Sequence, residues 1–188
     1  MRPKYPSRGI VLARYPLGEA NVSLILLTPE FGLVRARAQG LRKPGAKLAP
    51  ALQTLSLCEA VLVRGKEGWR LSGAVLEKNW ARTLSGSAKE RAGRIASLIL
   101  RLVRGETSDP VIFFVFNDFL TALEALSEEE QELAEVIAAL AILNDLGLDD
   151  GEVPESALAF TPASLAGLMP SKKELIVRVN RGISASGL

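Results

Sequence analysis

Five cations crowd one short stretch of the chain: Arg35, Arg37, Arg42, Lys43 and Lys47. Guanidinium and ammonium groups at this density suit the neutralisation of a phosphate backbone, where each contact releases condensed counterions. Their spacing is informative. Arg35, Arg37 and Gln39 alternate with Val34, Ala36 and Ala38, the period of a strand with one apolar and one polar face. "GLRKPGAKLAP" then sets Arg42, Lys43 and Lys47 on a loop punctuated by glycine and proline. Arg14 earlier, and Arg64, Lys66 and Arg70 later, add charge around the same segment. Tyr15 and Trp69 offer rings on which bases stack, the second ingredient of single-strand binding. Trp69 also alternates with Leu71 and Val75, and core is the better reading for it.

Other chemistries are poorly served. The chain has no histidine and one cysteine, Cys58, inside an apolar run. The usual general base and the usual zinc ligands are therefore missing. There is no G-x-x-x-x-G-K-[ST] loop for nucleotide phosphates, and no nucleophile, base and orienter can be assembled. Glu128 to Glu130, with Glu132 and Glu135, suit the positive end of a helix better than a metal. Asp145, Asp149, Asp150 and Glu152 lack the ligand spacing of a calcium loop. The expectation is a protein that is not an enzyme, with no metal and no cofactor.

The elements that would position the cations follow from the patterning. Residues 1–82 hold fourteen Lys/Arg against five Asp/Glu, and residues 83–188 hold nine against sixteen, so +9 and −7 hide inside a net +2. That split predicts a basic nucleic-acid-binding domain over 1–82 and a helical domain over 83–188. In the first, period-two runs predict strands in "RGIVLARYPLGEANVSLILLT" around a turn at Pro16 to Glu19, then "FGLVRARAQG", "TLSLCEAVLVRG" and "WRLSGAVLEKN", the last two joined through Gly65 to Gly68. Five short strands make a small closed barrel of the OB or SH3-like kind. In the second, helix starts are signalled at Ser87 with Glu90, Asp109 with Pro110, Ser127 with Glu130, Thr161 with Pro162, and Ser171 with Glu174. Residues 147–160 read as loop and "GISASGL" as a loose tail. The fold class is α+β. No run reaches the ~18 apolar residues of a spanning helix, and "MRPKYPSRG" precedes too short an apolar run for a secretory signal. A cytoplasmic setting without membrane contact is expected.

The front segment resembles the N-terminal OB domain of the RecO family. The features that carry the resemblance are the opening G-I-V-L, the L-G-E turn before the second strand, L-T-x-x-x-G into the third, and G-x-R-x-P followed by A-L-Q. The resemblance implies a DNA repair and recombination mediator that binds single- and double-stranded DNA. It further implies annealing of strands coated with single-strand-binding protein, action with RecR, and, through it, loading of the recombinase RecA near the bacterial nucleoid. It places the DNA contacts on Arg35, Arg37, Arg42, Lys43 and Lys47; charge position adds Arg14 and Arg70. The chain departs from the family at Gln39, where many relatives are basic, and at Ala46 and Lys47, which replace a more usual Ser-Arg pair. It also lacks the four cysteines with which some relatives bind zinc. The alternative is an OB-fold RNA-binding structural factor docking on a larger assembly.

On the first long helix, a 100° wheel gathers Ile95, Ala96, Ile99, Leu102 and Val103 on one arc. Arg91, Arg94, Arg101 and Arg104 take the other, with Leu98 among them. An apolar side chain ringed by arginines suits the acidic, phenylalanine-ended tail of single-strand-binding protein that the family captures. Arg91, Arg94, Leu98 and Arg101 are the expected partner contacts; an ordinary solvated arginine face is the other reading.

Overall fold

A computed structural model describes residues 3–106 and 109–187. The chain forms two compact units, Met1–Thr83 with Arg104–Phe113, and Leu84–Val103 with Phe114–Leu188. The first unit is built on β1 (Lys4–Leu17), β2 (Asn21–Thr28), β3 (Gly32–Ala38), β4 (Ser56–Gly65) and β5 (Gly68–Asn79). They close in the order β1-β2-β3-β5-β4, with β4 returning to β1. Neighbours are antiparallel except β3 and β5, which run parallel over three residue pairs, Ala36–Trp69, Arg37–Arg70 and Ala38–Leu71. This is the OB barrel, which settles the choice that periodicity alone leaves open.

Size matching explains the closure at that seam. The small Ala36 and Ala38 stand opposite the large Trp69 and Leu71, and all four point into the core. Val11, Leu24, Leu26, Val34, Leu52 and Leu62 fill the rest of the interior, each worth roughly 1.5–3 kcal/mol in removed apolar surface. Tyr5, Phe31 and Trp69 pack as an aromatic trio, with ring centroids 5.3–6.0 Å apart. β1 runs to Leu17, so the predicted Pro16–Glu19 turn moves to residues 18–20, where Gly18 takes φ +64. A short helix, α1 (Trp80–Thr83), follows β5 and buries Trp80.

The second unit is helical, with α2 (Gly86–Leu102), most of α3 (Val111–Ala122), α4 (Glu128–Asp145), α5 (Pro162–Ala166) and α6 (Lys172–Ala185). α4 packs against α2, α5 and α6, and its apolar run from Ile137 to Leu143 is buried. Phe119 and Phe160 meet edge to face, 5.9 Å between centroids. Three start signals hold as read. The Asp109 carboxylate accepts from Val111 N at 3.0 Å, Ser127 and Glu130 form a reciprocal capping box, and Thr161 caps α5.

The other two differ from expectation. α2 is capped by Ser85, which accepts from Ala88 N, so Ser87 lies inside the first turn. Ser171 precedes α6 without a side-chain cap bond. The predicted loose tail is also corrected, because α6 continues through Gly182 to Ala185. Gly182 and the serines read locally as breakers, but the missing Cβ at Gly182 is what seats α6 against α4: one built there would lie 2.9 Å from Leu143 Cδ1. Within residues 147–160 the only regular element is a 3₁₀ turn, Glu155–Ala159.

Candidate nucleic-acid interface

Outward positions on neighbouring strands of the barrel line up by register. Tyr15 on β1 pairs with Ser23 on β2, Ser23 with Arg37 on β3, and Arg37 with Arg70 on β5. With strands ~4.8 Å apart, this row runs ~14 Å across the surface. Tyr15 is 48% exposed at one end; Arg37 and Arg70 are exposed towards the other. Arg35, two residues along β3, points out on the same face. Beside Arg37 and Arg70 lies a cleft of about 290 Å³, whose lining includes Lys66, Gln39 and the edge of Trp69. The row therefore offers a ring face for a base and cationic groups for the phosphates that follow it.

The remaining predicted cations are placed differently. Arg42 is tied to the β1–β2 turn, its Nη1 donating to Gly18 O at 2.7 Å and its backbone N to Ala20 O at 3.0 Å. It therefore flanks the Tyr15 end of the row. Lys43 and Lys47 are exposed on the loop, which curls through the bonds Lys43 N to Gly40 O and Ala46 N to Lys43 O. Arg14 stands apart. It pairs with the fully buried Leu24, so it projects from the inner register, and its Nη1 donates to Gln53 Oε1 at 2.8 Å. Trp69 is only 8% exposed and belongs to the core, so its ring faces are closed to bases.

Two carboxylates at the barrel escape a sequence reading, because nothing local announces a partner 30 or more residues away. Glu67 reaches Arg37 at 3.4 Å, an exposed pair worth at most about 1 kcal/mol. Glu106 accepts from Arg64 Nη1 at 2.6 and 2.7 Å and from Trp69 Nε1 at 3.0 Å. Cys58 adds no chemistry: burial pushes its thiol up to about 12, so it stays protonated. Among the described residues no cluster of His, Cys, Asp or Glu could hold a metal ion, and no helix is long and apolar enough to cross a membrane.

The family described as "Recombination protein O N terminal" matches residues 1–79, ending on the last residue of β5. The barrel belongs to the RecO family. Three curated relatives, each called "DNA repair protein RecO", extend the likeness into the helices. The one from Trichodesmium erythraeum is 28% identical over 144 residues, 75% of this chain and 50% of the relative. That from Nostoc punctiforme is 30% identical over 128 residues, 68% and 43%, and that from Rubrobacter xylanophilus 29% over 176 residues, 85% and 68%. The chain spans about half the length of the first two.

In the helical unit, the arginine face is less open than the wheel implies. Glu135 on α4 takes Arg91 Nη1 at 2.9 Å and both Arg94 Nε at 2.5 Å and Nη2 at 2.7 Å. Those bonds make Arg94 hold its proton more tightly. Arg91 is largely covered, its side chain 16% exposed, whereas Arg101 is exposed. Leu98 does not stand out among the arginines. It is half-buried and lines an apolar slot of about 220 Å³ with Ile95, Val136, Ala139, Ile176 and Ile183, rimmed by Arg94 and Glu135.

Proposed function

We propose that this chain binds DNA through the outward row of the barrel and anneals complementary strands, acting as a non-catalytic mediator of repair and recombination in the bacterial cytoplasm. The observation that carries the reading is the register: Arg37 and Arg70 are neighbours across the β3–β5 seam, in line with Ser23 and the exposed Tyr15. Cations spread along this row lower the repulsion between two phosphate backbones, and one aromatic holds a strand without selecting its sequence. Base pairing itself supplies the driving force. The slot around Leu98, with Arg94 and Arg101 beside it, suits the acidic, aromatic-ended tail of single-strand-binding protein, and RecR is the partner through which the recombinase RecA would be loaded.

The experiment is annealing of complementary oligonucleotides, bare and precoated with single-strand-binding protein. Replacing Arg35, Arg37 and Arg70 together by Ala should abolish annealing of bare strands and lower the salt slope of DNA binding by about two to three. Arg14→Ala should leave the slope unchanged. Leu98→Asp should impair only the coated reaction. An unaltered slope in the triple variant rejects the row, and tighter binding to RNA than to DNA of the same sequence would favour an RNA-associated role.

A further inference from the structure

The edge of Trp69 already holds an anion. The indole is more than nine-tenths buried, so its N–H must find an acceptor or forfeit ~1–3 kcal/mol. That acceptor is Glu106 Oε1 at 3.0 Å. The same carboxylate takes Arg64 Nη1 through both oxygens, at 2.6 and 2.7 Å, while the Arg64 guanidinium lies 4.7 Å from the indole centroid. Core packing fixes the indole N–H, and the ring stacks against the guanidinium of the half-exposed Arg64. The acceptor is not buried with the indole: Glu106 is a surface side chain 42% exposed, with a path to solvent by which it can leave the site.

We infer that Arg64 and the Trp69 indole N–H form a further phosphate-binding point on the barrel, occupied in the free protein by the chain's own Glu106. The inference rests on the nucleic-acid reading above and adds to it a site and a competitor. A phosphodiester offers two anionic oxygens, the ligating feature that the carboxylate supplies here. Exchanging one for the other keeps every donor satisfied. The point lies at the end of the barrel and not in the row itself: Arg64 pairs with the core residue Trp69 on the inner register, beside the β4–β5 hairpin, and Trp69 also lines the cleft beside Arg37 and Arg70. A strand laid from Tyr15 to Arg70 reaches Arg64 by turning past the Gly65–Gly68 hairpin at the barrel's end. Glu106 then limits how tightly the strand is held and refills the site when it leaves, as an annealing protein needs once the bases have paired.

The test is fluorescence anisotropy of a labelled oligothymidylate against salt, using the full chain. Glu106→Gln should tighten binding about three- to tenfold and steepen the salt slope by about one. Glu59→Gln, the same charge change elsewhere on the barrel, should tighten it less than about twofold. Arg64→Ala combined with Glu106→Gln should erase the gain. Glu106→Ala repeats the comparison without an amide that could itself occupy the indole edge. Glutamine and alanine variants no tighter than the Glu59 control, or a gain that survives loss of Arg64, overturn the inference while leaving the row intact. A wild-type chain that binds no oligonucleotide, or binds one undiminished by the triple alanine change on the row, overturns both.

Discussion

Asp149 shows how much one side chain can hold in place. Its carboxylate accepts from Arg178 Nη2 at 2.5 Å and Nε at 3.3 Å, and Arg178 also donates to Glu152 O. Asn144 Nδ2 donates to Asp149 O and Gly151 O, so the turn after α4 is fastened to α6. The Arg178 hydrogen bonds hold the Asp149 carboxyl below its ordinary value. A depressed folded value means that the stabilisation is complete above about pH 4 and drains away as pH falls through that lower value. Asp149→Ala should cost about 2 kcal/mol at neutral pH, and the gap between urea melts of variant and wild type should narrow steadily as pH falls below about 4. A constant gap across that range would contradict the pairing. Read as sequence, Asp149 is one more acid on a polar loop, because its partner lies 29 residues away on the short helix that Ser171 and Glu174 announce.

At the scale of elements, two glycines in helices should respond oppositely to the same change. Gly182 in α6 faces the buried Leu143 and the carbonyl of Leu148, and an added Cβ would come within 2.9 and 3.1 Å of them. Gly93 in α2 has nothing within 4 Å of that position. Gly93→Ala should raise stability by about 0.5–1 kcal/mol through helix propensity alone, whereas Gly182→Ala should lower it by about 1 kcal/mol as crowding outweighs propensity. Thermal melts of the two variants decide the matter. The same contrast marks what was legible. Strand alternation, the Gly65–Gly68 hairpin, the Ser127 box and the Asp109-Pro110 start are written in neighbouring residues and were readable. The extent of α6, the Ser85 cap chosen over Ser87, the inner register of Arg14 and the neutralisation of Arg91 and Arg94 by Glu135 depend on packing between segments distant in the chain. Of the candidate site, strand period alone gave the outward face of β3; the alignment of Arg70 with Arg37 needed the β3–β5 pairing, which no local pattern encodes.

For the molecule as a whole, the charge split follows the architecture: the cationic stretch makes the barrel, and most of the acidic remainder makes the helical unit. The barrel ring is completed between β3 and β5 by three residue pairs, far fewer than join β4 to β5. Amides of that seam should therefore exchange with deuterium before those of the β4–β5 ladder. Arg37 and Arg70 sit on opposite sides of it. A polyanion gripping both would act as a staple across the clasp, favouring the shut ring by its own binding energy. Saturating oligothymidylate should then slow deuterium uptake at the seam more than on the opposite wall, so the barrel would be most firmly shut while it carries a strand.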